Sequence, residues 1–214
     1  QVAQFVHLSL KYSQRGAAYA PWDAHVLLDW SDSAAGFAGR DAIITCVHFS
    51  VATAQILQAF GIAARLAIFT RGIGTYAGHC CCEYWSPEAA AWVCIDPSTG
   101  VRYVDGSSPL SGAELRAHGE VGETLLTDLD GAPLTSGSDH LALWREQTND
   151  GACFRHYGIW RSSICLPEAS ALNVNHGSIE FAETDIVWHE SCLDEGFGMF
   201  STFAGDDYFA APPE

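Results

Sequence analysis

Basic residues are scarce in this chain: 10 Lys and Arg stand against 26 Asp and Glu, a formal net charge of -16. Nucleic acid and anionic membrane surfaces both attract a basic face, so this balance argues against either as a partner. It suits an acidic, well-solvated surface. Long apolar runs are missing as well. No stretch approaches the roughly 18 residues of a membrane span. The first residues show no basic region leading into an apolar stretch and a small-residue cleavage site. There is no internal repeat, no glycine-rich phosphate loop and no linker long enough to demand a second domain. What the chain does have is apolar bulk: 48% hydrophobic and 17% charged over 214 residues, enough for a globular unit with a sizeable core.

One stretch carries the chemistry, from Gly39 to Gly100. Val47, Val51, Ala54, Leu57 and Phe60 recur at helical steps, and Gly61 falls where a C-cap belongs, so a helix is expected with Cys46 at its front. The unpaired N–H groups and dipole of a helix N-terminus favour an anion, which is where a nucleophilic thiolate belongs. Ala64 to Thr70 reads as a strand, residues 72 to 78 as a loop, and His79 to Trp85 and Trp92 to Asp96 as a hairpin around Pro87. With Ser86 to Ala89 as a symmetric loop, Trp85 faces Ala90, Glu83 faces Trp92, Cys81 faces Cys94, and His79 faces Asp96. All share one face, with opposed Cβ atoms about 5 Å apart. A thiol, an imidazole and a carboxylate brought together in this way can carry covalent acyl transfer.

The ordered set Cys46, Gly61-Ile62-Ala63-Ala64-Arg65, Gly78-His79 and Asp96-Pro97 resembles the transglutaminase-like superfamily. The resemblance implies an α+β fold with a transglutaminase-like (papain-like) core, the nucleophile helix packed on an antiparallel sheet. It implies catalytic Cys46, His79 and Asp96, and no cofactor or metal. Many members have a small Gly-x-Cys turn before the nucleophile, where this chain has Ile44-Thr45-Cys46. Enzymes of this type often place an aromatic donor upstream of the cysteine, and Trp30 is the candidate for helping to bind the oxyanion. Tyr76 is a candidate cleft residue by its position in the loop before His79.

The expected activity is hydrolysis of a peptide or isopeptide-like amide through a thioester. The alternatives are an amine-accepting acyltransferase and a non-catalytic binding domain that keeps the fold. Partners are then a peptide, protein or small amide substrate, and the oligomeric state stays open. Eight cysteines less one free nucleophile leave an odd number, so reduced thiols, and a cytoplasmic setting, are the simpler expectation. Cys80, Cys81 and Cys82 alternate across a strand and do not converge as a zinc knuckle would. Cys81 and Cys94 are the pair to test for a disulfide.

Around this core, Val2 to Tyr12 suits a short helix, and Ser111 with Glu114 forms a capping box that opens another. His140 to Trp144, Phe154 to Trp160 and Ile186 to Trp188 read as further strands or covering loops. The chain is therefore expected to form a single domain, 1–214. Its catalytic core runs over about 28–115, with a β-rich extension over about 116–205 and a frayed acidic tail.

Overall fold

The computed structural model describes residues 1–16, 18–20, 22–32, 42–71, 78–160, 186–188, 201–202 and 211–212. It is an α+β fold built around α3 (Cys46–Ala59). One side of this helix (Val47, Val51, Ala54 and Leu57) packs on the sheet residues Leu66, Cys80, Cys82, Val93 and Ile95. Its other side, through Phe49 and Ala52, meets Val6, Leu27 and Ile44. Those residues come from α1 (Val2–Ser9), α2 (Ala24–Asp32) and the chain before Cys46. A helix apolar on every side belongs inside a domain rather than on its surface. It ends as the sequence predicts, with Gly61 in the left-handed region at φ 75°. Phe60 is not part of the buried stripe; it caps the helix and is 73% exposed.

The main sheet has β3 (Ala64–Thr70) and β4 (Gly78–Ser86) at its centre. Beyond β4 come β5 (Ala91–Asp96), β6 (Val101–Asp105) and β7 (Ser108–Pro109), with β8 (Leu126–Asp128) also pairing β6. Beyond β3 come β9 (His156–Trp160), β10 (Ile186–Trp188) and β11 (Ser201–Thr202). Every pairing in it is antiparallel except β10 with β11. A separate parallel pair joins β1 (Ala18–Tyr19) to β2 (Ala42–Ile43).

The face away from α3 is covered by α4 (Gly112–His118) and α5 (Asp139–Thr148), over Ala67, Phe69, Cys81, Cys94, Tyr103, Trp144, Phe154 and Tyr157. Residues 140–144 are therefore helical, not a strand: Leu141 and Trp144 face inward three apart, with the other positions half-buried or exposed. The Ser111–Glu114 capping box forms as expected, Ser111 N–H donating to Glu114 Oε2 at 2.8 Å. From the region after 116, β9 pairs along β3 and continues the main sheet.

The β4–β5 hairpin differs from the symmetric reading. Its loop is Pro87–Ala90, with Ser86 opposite Ala91, Trp85 opposite Trp92 and Glu83 opposite Cys94. The Ala89 N–H donates to Ser86 Oγ at 3.3 Å and the Ala90 N–H to Pro87 O at 3.3 Å, so the turn begins after Ser86 and closes on Ala90 in the left-handed region at φ 48°. Moving the centre by one residue shifts every partner by two. A two-residue shift preserves the faces. His79, Cys81, Glu83, Cys94 and Asp96 still share one face, but His79 and Asp96 are diagonal neighbours rather than opposed, and Cys81 is no longer opposite Cys94. None of the six described cysteines is in a disulfide.

Candidate active site

Three local structures converge on the first residues of β4. The first is the N-terminus of α3. Thr45 is its N-cap in an extended conformation, φ -117° and ψ -178°, and Ile44 forms an antiparallel bridge with Ser13. Extended backbone suits β-branched residues, so Ile44-Thr45 fits here without the small turn that the resemblance implies. The cap is completed by His48, whose Nδ1 accepts the Thr45 N–H at 2.9 Å while its Nε2–H donates to Ala20 O at 3.1 Å. Burial outweighs both bonds and lowers the His48 pKa to about 4, so this ring is neutral and structural. One turn into α3, Ser50 Oγ donates to Cys80 O at 3.0 Å and pins the helix start to β4 beside His79. Cys46 is the first helical residue and half-buried. Its N–H is one of those a helix leaves without an internal acceptor.

The second is the His79–Asp96 pair. His79 Nε2 and Asp96 Oδ2 are 2.6 Å apart, with both side chains buried. Burial alone would lower the His79 pKa, but the Asp96 charge, with the neighbouring Cys81 and Cys46 sulfurs and the bond to Asp96, outweighs it and raises it well above 6.5. Burial would likewise raise Asp96, and the His79 charge, its bond and those from Ser98 and Thr99 hold it below its ordinary value. The other ring nitrogen, His79 Nδ1, is buried without a partner. No hydrogen bond joins it to Cys46, although the Cys46 charge is felt at His79.

The third is the turn that follows β5. Asp96 Oδ1 accepts from Ser98 Oγ at 2.7 Å, Ser98 N at 3.1 Å and Thr99 N at 3.3 Å, and Tyr103 O–H reaches Oδ2 at 3.4 Å. Ser98 Oγ is also 2.8 Å from the Gln147 Oε1 position on α5, while the Nε2 position is buried without a partner. A serine has one hydroxyl proton, and the Asp96 carboxylate takes it. The chemistry therefore assigns the Gln147 amide with its NH2 toward Ser98 and its carbonyl oxygen in the buried position.

Tyr12 was not singled out from the sequence. It lies beyond the end of α1, which stops at Ser9, in the segment that bridges to Ile44. Burial raises its pKa, and the charges of Cys46 and His79 both reach it. Its hydroxyl accepts from Gln14 Nε2 at 2.8 Å, leaving its own proton to donate. No periodicity marks such a residue; only the strand-like bridge after a short helix brings it in. A cleft of about 220 Å³ is lined by Gly78, the residue before His79, with Arg71, Glu146, Gln147, Thr148 and Cys153 among others. Trp30 is half-buried against the cluster of Val6, Leu27, Ile44 and Phe49. Tyr76 lies outside the described residues.

Among the described residues, one group of three potential metal ligands is close together: His79, Cys81 and Asp96 offer atoms within 4.8 Å of one another. Two ligands on a tetrahedral zinc stay about 3.3 Å apart, given metal–ligand distances near 2.0 Å. At 2.6 Å, His79 and Asp96 form a direct hydrogen-bonded couple instead. Burial also pushes the Cys81 thiol well above its ordinary value, which keeps it protonated. Cys81 is fully buried and Cys46 is not, so Cys46 is the thiol a substrate can reach. No described helix is long and apolar enough to cross a membrane. No family model, curated protein or solved structure matches this chain.

Proposed function

We propose that this chain is a transglutaminase-like cysteine enzyme that hydrolyses a peptide or isopeptide-like amide through a thioester on Cys46. The observation that carries the reading is the His79 ring. Nε2 is bound by a buried carboxylate, Nδ1 is left without a partner, and a half-buried thiol at a helix N-terminus acts on the ring electrostatically. Asp96 fixes the tautomer and supports the imidazolium. His79 takes the Cys46 proton, and the sulfur adds to the amide carbonyl carbon. His79 then returns the proton to the leaving amine as the C–N bond breaks. Water adds to the thioester with His79 as base, releasing the carboxylic acid and the thiol. The Cys46 N–H and the Tyr12 O–H are the donors placed for the oxyanion, with Trp30 the candidate that the resemblance adds.

The substrate is a peptide, protein or small amide entering beside Gly78 and Cys153. Described cysteines without disulfides fit a reducing compartment such as the cytoplasm. Mass spectrometry of products from a peptide-amide library, with and without an added primary amine, tests the reading. Acid products alone support hydrolysis, and amine adducts support acyl transfer to an amine. Products undiminished in Cys46→Ala would overturn both, and no product of either type from the intact chain would leave a binding domain.

A further inference from the structure

A second pair of imidazoles lies near the triad, on the turn that follows Asp96. His7, from the last turn of α1, places Nδ1 3.0 Å from Pro97 O. His140, from the first turn of α5, places Nδ1 3.0 Å from Thr99 O. A carbonyl oxygen only accepts, so both Nδ1 atoms carry a proton and each neutral ring keeps its lone pair on Nε2. Neither Nε2 has a hydrogen-bond partner among the described residues. An Nδ1–H on a backbone carbonyl is the usual support for a histidine that ligates metal through Nε2.

The two ring centroids are 5.0 Å apart. Two imidazoles on one tetrahedral zinc keep their centroids about 5 Å apart, given Zn–N bonds of about 2.0 Å. Gly100 makes this approach possible. It sits at φ +76°, and a Cβ there would stand 2.3 Å from His140 Nδ1 and 3.0 Å from His7 Cε1. The rings border a small cavity, about 70 Å³, lined also by Gln4, Asp128 and Asp130. Asp128 Oδ1 is held by the Asp130 and Ala132 amides at 3.0 and 2.7 Å, and Asp130 Oδ2 accepts from Gln4 Nε2 at 2.9 Å. Neither carboxylate joins both rings within 4.8 Å, so the two imidazoles are the protein ligands.

We propose that His7 and His140 bind a divalent transition-metal ion, zinc or one of similar ligand preference, through their Nε2 atoms, with water completing the shell. Imidazole suits zinc, copper and nickel, not calcium or magnesium. The ion ties α1 to α5 across the turn that holds Asp96. This site shares no residue with the triad and does not depend on the proposed activity.

The experiment is titration of the reduced, full chain with Co²⁺ and with Zn²⁺, followed by visible absorption and calorimetry. The expected result is one equivalent bound, with visible d–d bands and no near-ultraviolet thiolate-to-cobalt charge-transfer band. His7→Gln and His140→Gln keep an amide N–H for each carbonyl but lose the ligand, and each is expected to weaken binding at least about tenfold with the circular dichroism spectrum unchanged. A thiolate charge-transfer band with affinity unchanged in both variants would place the ion on the cysteines and overturn the proposal. So would the absence of any binding below millimolar metal.

Discussion

Asp96 is held by four donors besides His79, and the last link in that arrangement, Gln147 through Ser98, can be tested on its own. With the Gln147 NH2 on Ser98, Gln147→Glu sets a second acceptor against Asp96 for the one Ser98 proton, whereas Gln147→Ala only removes a support. Turnover is expected to fall further in the Glu variant than in the Ala variant; the reverse order would mean the amide lies the other way. Asp96→Asn should lower turnover about a hundredfold or more, because an amide N–H facing Nε2 imposes the wrong tautomer. The His79 pKa should fall with it, since the charge opposing burial is gone. Alkylation of Cys46 against pH should then lose the range above pH 6.5 in which the imidazolium persists. An unchanged profile would show that another group orients His79. His48 gives a stability test. Its folded pKa, about 4, lies below the ordinary 6.5, so the unfolded chain binds the extra proton first. The stabilisation is complete above about pH 6.5 and is lost as pH falls toward 4, by about 3 kcal/mol. Denaturant melts across that range should show this decline, and His48→Gln should flatten it.

Among the elements, α3, β3 and the α4 capping box were legible because each follows from a local rule: helical spacing with a glycine stop, a bounded apolar run, and Ser with Glu three residues on. The hairpin was legible in its face and not in its register. Periodicity fixes which residues share a face, but the register depends on how Ser86 and Pro87 share the turn, and that is a contest between side-chain and backbone bonds. Ala90 holds a left-handed conformation that costs an L-residue about 1 kcal/mol, so Ala90→Gly is expected to stabilise the chain by up to that amount in denaturant melts. Residues 140–144 were read as a strand or covering loop and are helical, because an apolar run that short has no period to declare itself. Nor did the sequence reveal the partners of Glu83. Arg65 Nε donates to its Oε2 at 2.8 Å, Tyr157 O–H to Oε2 at 2.5 Å, and Gly112 N–H to Oε1 at 2.6 Å, drawing on β3, β9 and α4. These contacts span up to 74 residues of sequence. Glu83→Ala leaves Arg65 buried without its carboxylate and should cost about 3–5 kcal/mol of stability, read by the same melts.

At the scale of the whole molecule, the same division recurs. The order Cys46, His79, Asp96 along the chain pointed to their convergence, and the fold joins His79 to Asp96 and sets Cys46 at the helix start that Ser50 ties to β4. The contributions of distant segments, Tyr12 after α1 and Gln147 on α5, follow from tertiary packing and had no local sign. The β9 strand likewise extends the sheet that carries the site. The account stands or falls on Cys46. Treating the folded, reduced protein with a limiting amount of a thiol-reactive amide probe, then mapping labelled peptides by mass spectrometry, compares it directly with the other thiols. The account predicts that Cys46 is labelled well ahead of Cys80, Cys81, Cys82, Cys94 and Cys153, and that His79→Ala removes this lead. Labelling spread evenly over the cysteines, or an unchanged lead for Cys46 in His79→Ala, would contradict it.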